Sequence, residues 1–268
     1  MKRLKKYACA FVLEIQSAME YRADFVMTLF SGCFTVIIQV FLWTAIYGGS
    51  QAAIYGYTYN QMMVYVIMAG IMAQVVSTGF EWEILIDIKE GMLSRFLVQP
   101  IGYFPYKVAG LLGRKVIHLA VVIIISVAVL LLIKISLSAE FLPLNIALAL
   151  VVTPVSLMIN CLLFYCFAAL NFWMTEAWSV FDGLRVASLI FSGGIFPLDV
   201  FGPGAQAVFR LLPFQYIIYF PLNIICGRLR LTEIVFGILA QFFWIAVLYA
   251  FSKLLWKMGM KKYIAAGG

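Results

Sequence analysis

The sequence predicts an all-α polytopic membrane protein: six transmembrane helices, an amino-terminal amphipathic elbow helix and an outer re-entrant hairpin between helices five and six. Three observations predict it. Residues 25–47, 61–80, 116–133, 141–175 and 234–252 carry no ionised side chain, and 186–198 is a shorter sixth stretch. Lys and Arg collect on alternate sides of these stretches. Only 12% of the residues are charged, against about 25% in soluble domains. At about 1.5 Å per residue, roughly 20 apolar residues cross a hydrocarbon core of about 30 Å. A helix satisfies its own backbone there, which an open sheet does not. The spans nearly use up the 268 residues, so residues 1–268 read as one transmembrane domain without a soluble enzymatic one.

Residues 1–22 come first. Leu4, Tyr7, Phe11, Ile15 and Met19 recur at three- and four-residue spacing, with Lys5, Lys6, Gln16 and Glu20 on other faces. That pattern predicts an amphipathic helix in the cytoplasmic interface, its lysines near anionic headgroups. It is either a plain anchor or an elbow that clamps the first span and receives force from a partner. Glu14, Glu20, Arg22 and Asp24 interrupt the pattern, so it is not the apolar core of a cleavable signal peptide.

Positive charge orients the spans. Of 19 Lys and Arg residues, all but Lys134, Arg210, Arg228 and Arg230 fall on one side. The positive-inside rule makes that side, and both termini, cytoplasmic. The net charge of +7 thus reads as membrane topology, and no nucleic acid is implied. The uncharged segment 211–227 is a possible seventh span, but it would move the C-terminal lysines outside and contain Pro213 and Pro221. A re-entrant hairpin over 202–230 fits better, since broken helices persist at membrane depth only under protein cover.

The loop 81–100, between spans two and three, is the most informative. Glu83, Asp87, Glu90 and Arg95 recur at roughly helical spacing beside Ile84, Leu85 and Ile88. This predicts a short amphipathic helix parallel to the membrane, broken near Gly91 and stopped by Pro100. Such a segment is either a docking surface for a cytosolic partner or a solvated spacer.

After Glu81, the run Ile88-Lys89-Glu90-Gly91-Met92-Leu93-Ser94-Arg95-Phe96-Leu97-Val98-Gln99-Pro100 resembles the Ile-x-x-Gly-x-Leu-x-x-x-Leu-x-x-Pro of type-2 ATP-binding-cassette (ABC) exporter permeases. Phe191-Ser192-Gly193-Gly194-Ile195-Phe196-Pro197, then Leu211-Leu212-Pro213-Phe214, is similar to that family's Ser-Gly…Pro stretch and outer hairpin. The ending Gly259-Met260-Lys261-Lys262-Tyr263 resembles its Gly-x-x-Lys-x-Tyr close. In order, these motifs cover nearly the whole chain.

The resemblance implies one transmembrane subunit of an exporter, paired with an identical or related permease; the few cysteines, the compact size and the lack of a signal-peptide pattern suit a bacterial inner membrane. Two copies of a cytosolic ABC ATPase would drive it. The chain has no G-x-x-x-x-G-K-[ST] loop, so ATP and Mg would be bound by that partner and no cofactor by this chain. The resemblance makes 81–95 the coupling helix, with Glu83, Asp87, Glu90, Gly91 and Arg95 as the ATPase-docking residues. Trp82 and Phe96 are candidate anchors, and Glu81 is expected to pair with Arg22 or Arg114 or to join that face. Reversing Glu83, Asp87 and Glu90 together is expected to uncouple the ATPase without unfolding the chain. In the outer half, Gly193, Gly194, Pro197, Arg210 and Pro213 would shape the re-entrant region, and Asp199 either pairs with Arg210 or faces water.

No catalytic or metal site is read. His118 is the single histidine, and the sequence offers neither the convergent ligands of a metal site nor the Ser and Asp neighbours of a triad around it. Cys161 and Cys166, five apart, face different ways around a helix. Asn145, Asn160, Asn171, Gln39 and Gln74 read as helix–helix contacts before substrate ligands. Abundant aromatic and Met residues suit a hydrophobic or amphipathic cargo such as a drug, peptide antibiotic or lipid. The alternative is a stand-alone secondary carrier, or a sensor or immunity protein without an ATPase.

Overall fold

The computed structural model describes residues 2–20, 22–49, 52–137, 142–174 and 178–263. Their regular elements are all helical, with a single β-bridge between Ile54 and Tyr57. In order they are α1 (Lys2–Glu20), α2 (Arg22–Tyr47), α3 (Tyr59–Val76), α4 (Phe80–Lys89), α5 (Ser94–Leu97), α6 (Tyr103–Leu137), α7 (Pro143–Ala169), α8 (Trp178–Phe191), α9 (Gly202–Arg210), α10 (Tyr219–Ile225) and α11 (Leu231–Gly259).

Five elements among these residues are long and apolar enough to cross a membrane: Phe30–Tyr47, Tyr59–Lys89, Tyr103–Val129, Pro143–Phe172 and Leu231–Gly259. A sixth is reached only by joining Leu198–Arg210 and Phe214–Ile225, which are bent by 99°. The expected span at 186–198 is not a single helix. Helix α8 starts earlier and stops at Phe191 after 14 residues, about 21 Å of rise, because Gly193 (φ +80°) turns the chain. The segment 211–227 is likewise broken, by a turn at Pro213.

Three further expectations need correction. Helix α6 begins at Tyr103, so Lys107, Arg114 and Lys115 lie on it rather than in a loop. Helix α4 joins α3 in one 31-residue candidate span instead of forming a separate surface helix. Its Phe80, Ile84, Leu85 and Ile88 are buried with Leu111, Cys161, Tyr165 and Ala168, so its apolar face meets protein. Helix α1, a helix as expected, packs along α6 far more than on α2. The Gly102 N–H donates to Tyr7 Oη (3.0 Å), and Glu14 pairs with Arg114 (3.4 Å).

The larger core cluster gathers α3, α7, α10 and α11 around Met62, Val66, Ile159, Leu162 and Leu222. Gln241 on α11 donates to Ser156 Oγ (2.9 Å) and to the Tyr216 carbonyl (3.1 Å), tying α11, α7 and the turn after α9 together. At one end of the bundle, Tyr263 Oη accepts from Ser94 N (3.1 Å) and Trp256 stacks on Tyr165 (4.8 Å). The 81–100 loop, the start of α1 and the end of α11 therefore share that end.

Candidate functional site: a braced loop, a central cavity and an outer tyrosine cluster

The 81–100 segment turns at Gly91, which is buried with φ +74°. A side chain there would be strained. The Gly91 carbonyl accepts from Ser94 Oγ (2.6 Å), and Leu93 N reaches back to the Asp87 carbonyl (2.8 Å). Beneath this turn lies an ion-pair network. Lys107 Nζ reaches Asp87 (2.8 Å) and Glu83 (2.9 Å), Arg114 pairs with Glu83, and Arg95 pairs with Asp87 (3.5 Å). Tyr103 Oη donates to Asp87 (2.7 Å).

The five expected docking residues are thus brought together but not onto one exposed face. Asp87 is 3% exposed and braces the loop from below. The Glu83 side chain is half-buried between two cations. Gly91 sets the turn. Only Glu90 and Arg95 stand open, beside exposed Met92, Val98, Gln99 and Pro100. Charge reversal at Glu83 and Asp87 would break the brace, so the triple variant is no clean test of docking. Of the aromatic anchors, Phe96 is buried against Tyr103 (5.0 Å) and Trp82 stacks on Trp178 (5.1 Å). Glu81 is 1% exposed and pairs with Arg185 (2.6 Å) and not with Arg114, which pairs with Glu14 and Glu83; the Arg22 side chain lies outside what the structure describes.

A cavity of about 1160 Å³ runs from this end toward the opposite one. Arg114, Lys115, His118 and Arg185 line its near end. Ser31, Thr35 and Gln39 of α2 face Gln74, Asn160 and Ser188 along its middle, and Leu189, Gly194, Ile217 and Ile218 close its far end. Asn160 donates to the Val76 carbonyl (2.7 Å), so it does join helices as expected. The spacing of Ser31, Thr35 and Gln39, one every four residues in an apolar span, is a sequence signal for this polar face. Lys115 lies within a candidate span and is 5% exposed, a buried charge on a helix where the sequence predicts a loop.

At the far end, Asp199 accepts from Tyr57 Oη (2.6 Å) and Tyr219 Oη (2.9 Å), and Arg228 covers the Tyr57 ring at 3.7 Å. Arg210 is not its partner. Arg210 is exposed, and its carbonyl accepts from Gln215 (3.2 Å). Gly193 offers its carbonyl to Tyr65 Oη (2.7 Å), while Pro197 and Pro213 are buried and start 3₁₀ turns. Gly194 accepts only a long contact from Gln39 (3.5 Å). Burial, reinforced by Asp199, pushes the Tyr57 phenol well above its usual range, so it stays a donor. The cluster fastens the 52–58 loop to the hairpin. Asp199→Ala leaves the buried Tyr57 hydroxyl without its acceptor and is expected to cost about 1–3 kcal/mol, read as a lower unfolding midpoint in mild detergent.

Apolar helices long enough to cross a bilayer, grouped around a cavity, define the class: a transmembrane protein of the transport type. The chain belongs to the ABC-2 family of transporter proteins, whose family model matches residues 33–267. It is accordingly a transmembrane transport subunit of a family that works with an ABC ATPase. Comparison with curated proteins found no match.

Proposed function

We propose that this chain is the permease subunit of an ATP-driven exporter of the bacterial inner membrane, with both termini cytoplasmic. Two copies of a separate cytosolic ATPase and a second permease, identical or related, complete it. The braced 81–100 loop carries this reading. A loop made only to join two helices needs no buried Lys107–Asp87 pair beneath it, whereas one that bears load does. Glu90, Met92, Arg95 and Val98 form the docking face, and Glu83, Asp87 and Gly91 hold it in shape. Helix α1 is the elbow, and the α9–α10 hairpin is the outer re-entrant element.

ATP binding closes the ATPase dimer, whose pull on the loop favours one of two permease conformations, and hydrolysis resets them. A partner shifts such an equilibrium only by its difference in affinity for the two states. The permease itself performs no covalent chemistry. Helix α2, with 17% of its span window buried, leaves Phe30, Phe34, Ile38 and Phe41 exposed to lipid or to the second permease. Lys115 favours the second reading, a stand-alone carrier, since a buried charge in a span marks ion-coupled pathways.

The test is a mild-detergent pull-down. The wild-type chain is expected to bring down a cytosolic protein with a phosphate loop, and the Glu90→Lys, Met92→Asp, Val98→Asp triple variant to lose it by about tenfold, the size of a 1.4 kcal/mol interface loss. Wild-type chain recovered alone in full yield would overturn the exporter reading. An unchanged complex in the variant would remove the docking face.

A further inference from the structure

We infer that the central cavity receives an anionic amphiphile, with its acidic headgroup at Lys115 and its chain directed toward Leu189, Ile217 and Ile218. This rests on the transport reading above and names its cargo class. Charge carries the first part. The other cations at that end of the cavity have carboxylates: Arg114 has Glu14 and Glu83, and Arg185 has Glu81. Lys115 has no carboxylate within ion-pair distance among the described residues. Its ammonium donates to the carbonyls of Gln74 (3.1 Å) and Val75 (2.7 Å) and to Ser77 Oγ (3.2 Å). These acceptors are uncharged and close α3, whose C-terminus supplies only about half a negative charge. Roughly half a positive charge is left in the cavity wall, in a setting where burying an uncompensated charge is costly.

Polar side chains on the wall carry the second part. Ser31, Thr35 and Gln74 line the middle of the cavity and are not buried. They offer hydrogen-bonding groups to a polar headgroup or glycerol linkage. The volume carries the third part. At about 1160 Å³, the cavity exceeds the range of about 300–1,000 Å³ usual for drug-sized ligands, and its far end is lined by Leu and Ile. Cation, neutral polar groups and aliphatic wall follow one another in the order of an acidic lipid's own parts.

The experiment uses the full chain in nanodiscs of zwitterionic phosphatidylcholine, without any ATPase. A diazirine-bearing hexadecanoic acid and its methyl ester are photolysed in parallel, and labelled peptides are mapped by mass spectrometry. The acid is expected to label the α2 and α8 cavity peptides about tenfold over the ester, as a half-charge about 6 Å away predicts for an effective dielectric near 20, the three ammonium protons being held by the end of α3. Lys115→Arg keeps that preference and Lys115→Met loses it. Because Lys115 also caps α3, Thr78→Glu is the second variant. It leaves the cap intact, places a carboxylate beside Lys115, and is expected to abolish the preference as well. Competition by phosphatidic acid or by palmitate then separates a phosphate headgroup from a free carboxylate.

Equal labelling by ester and acid, or an undiminished preference in Thr78→Glu, would overturn the inference. Failure here leaves ATPase recovery untouched. Acid labelling by a chain that recovers no ATPase would keep the site and transfer it to a carrier.

Discussion

Replacing Lys107 by methionine is expected to destabilise the chain by about 3–5 kcal/mol, the usual cost of removing one partner from a buried ion pair. Lys107 is 6% exposed and Asp87 3%, so water screens neither. Methionine fills most of the lysine's volume, which isolates the electrostatic loss from a cavity effect. Asp87 would keep only the longer contact to Arg95 and the Tyr103 hydroxyl, while Glu83 would retain Arg114. The check is denaturant titration in mixed micelles. The double variant Lys107→Met, Asp87→Leu should recover a large share of the loss, because an apolar replacement of a whole buried pair is often neutral. A double variant no better than the single would mean that packing, and not the pair, had been disturbed. The pull-down should follow stability here, in contrast to the docking-face variant, which loses its partner with the fold intact.

Gly113→Val is expected to lift α1 from α6. A Cβ at Gly113 would clash with the Phe11 carbonyl oxygen and stand 3.1 Å from its carbon. Both are backbone atoms, so no rotamer change makes room, and one helix must move. Forced overpacking commonly costs about 1–3 kcal/mol, and here the strain falls on a seam held by Glu14–Arg114 and by the Gly102–Tyr7 hydrogen bond. In a Cys9→Ser, Cys33→Ser background, which removes the two exposed thiols, the thiol introduced by Ala10→Cys at that buried position should be shielded from maleimide while Gly113 is present. The same thiol should label readily once Gly113→Val is added. Equal protection in both would show that α1 accommodates the side chain by a small shift. Gly113→Ala should fall between, because the clash already begins at Cβ.

The long apolar helices were legible because hydropathy and length alone demand them. The break after α8 was legible too, in Gly193 and Gly194. What misled was charge. Lys107, Arg114 and Lys115 ended the apolar window and so looked like loop, yet Asp87, Glu83 and Glu14 pair the first two, the carbonyls at the end of α3 hydrogen-bond the third without neutralising it, and one helix runs through. Spacing could not reveal those partners. Glu81 and Arg185 are 104 residues apart, and Tyr57 and Asp199 are 142 apart. Helical periodicity in α4 pointed to a polar face, but Asp87 on that face turns inward because Lys107 waits there. The polar stripe on α2 was readable, and its meaning emerged only once Gln74, Asn160 and Ser188 stood opposite it.

Helix α6 is 35 residues long, about 52 Å of rise, so roughly 20 Å of it extends beyond a hydrocarbon core of about 30 Å. Tyr103 and Lys107, the two residues that grip the 81–100 loop, lie within the first five residues of that length. Like an oar, the helix has its blade in one medium and its shaft in another. A rocking of about 10° about the membrane surface sweeps the free end through about 3–4 Å, by the same rise per residue. On the proposed coupling, a push on the loop is a torque on a membrane helix, and the stroke is set by the length of the shaft and not by slack in the loop.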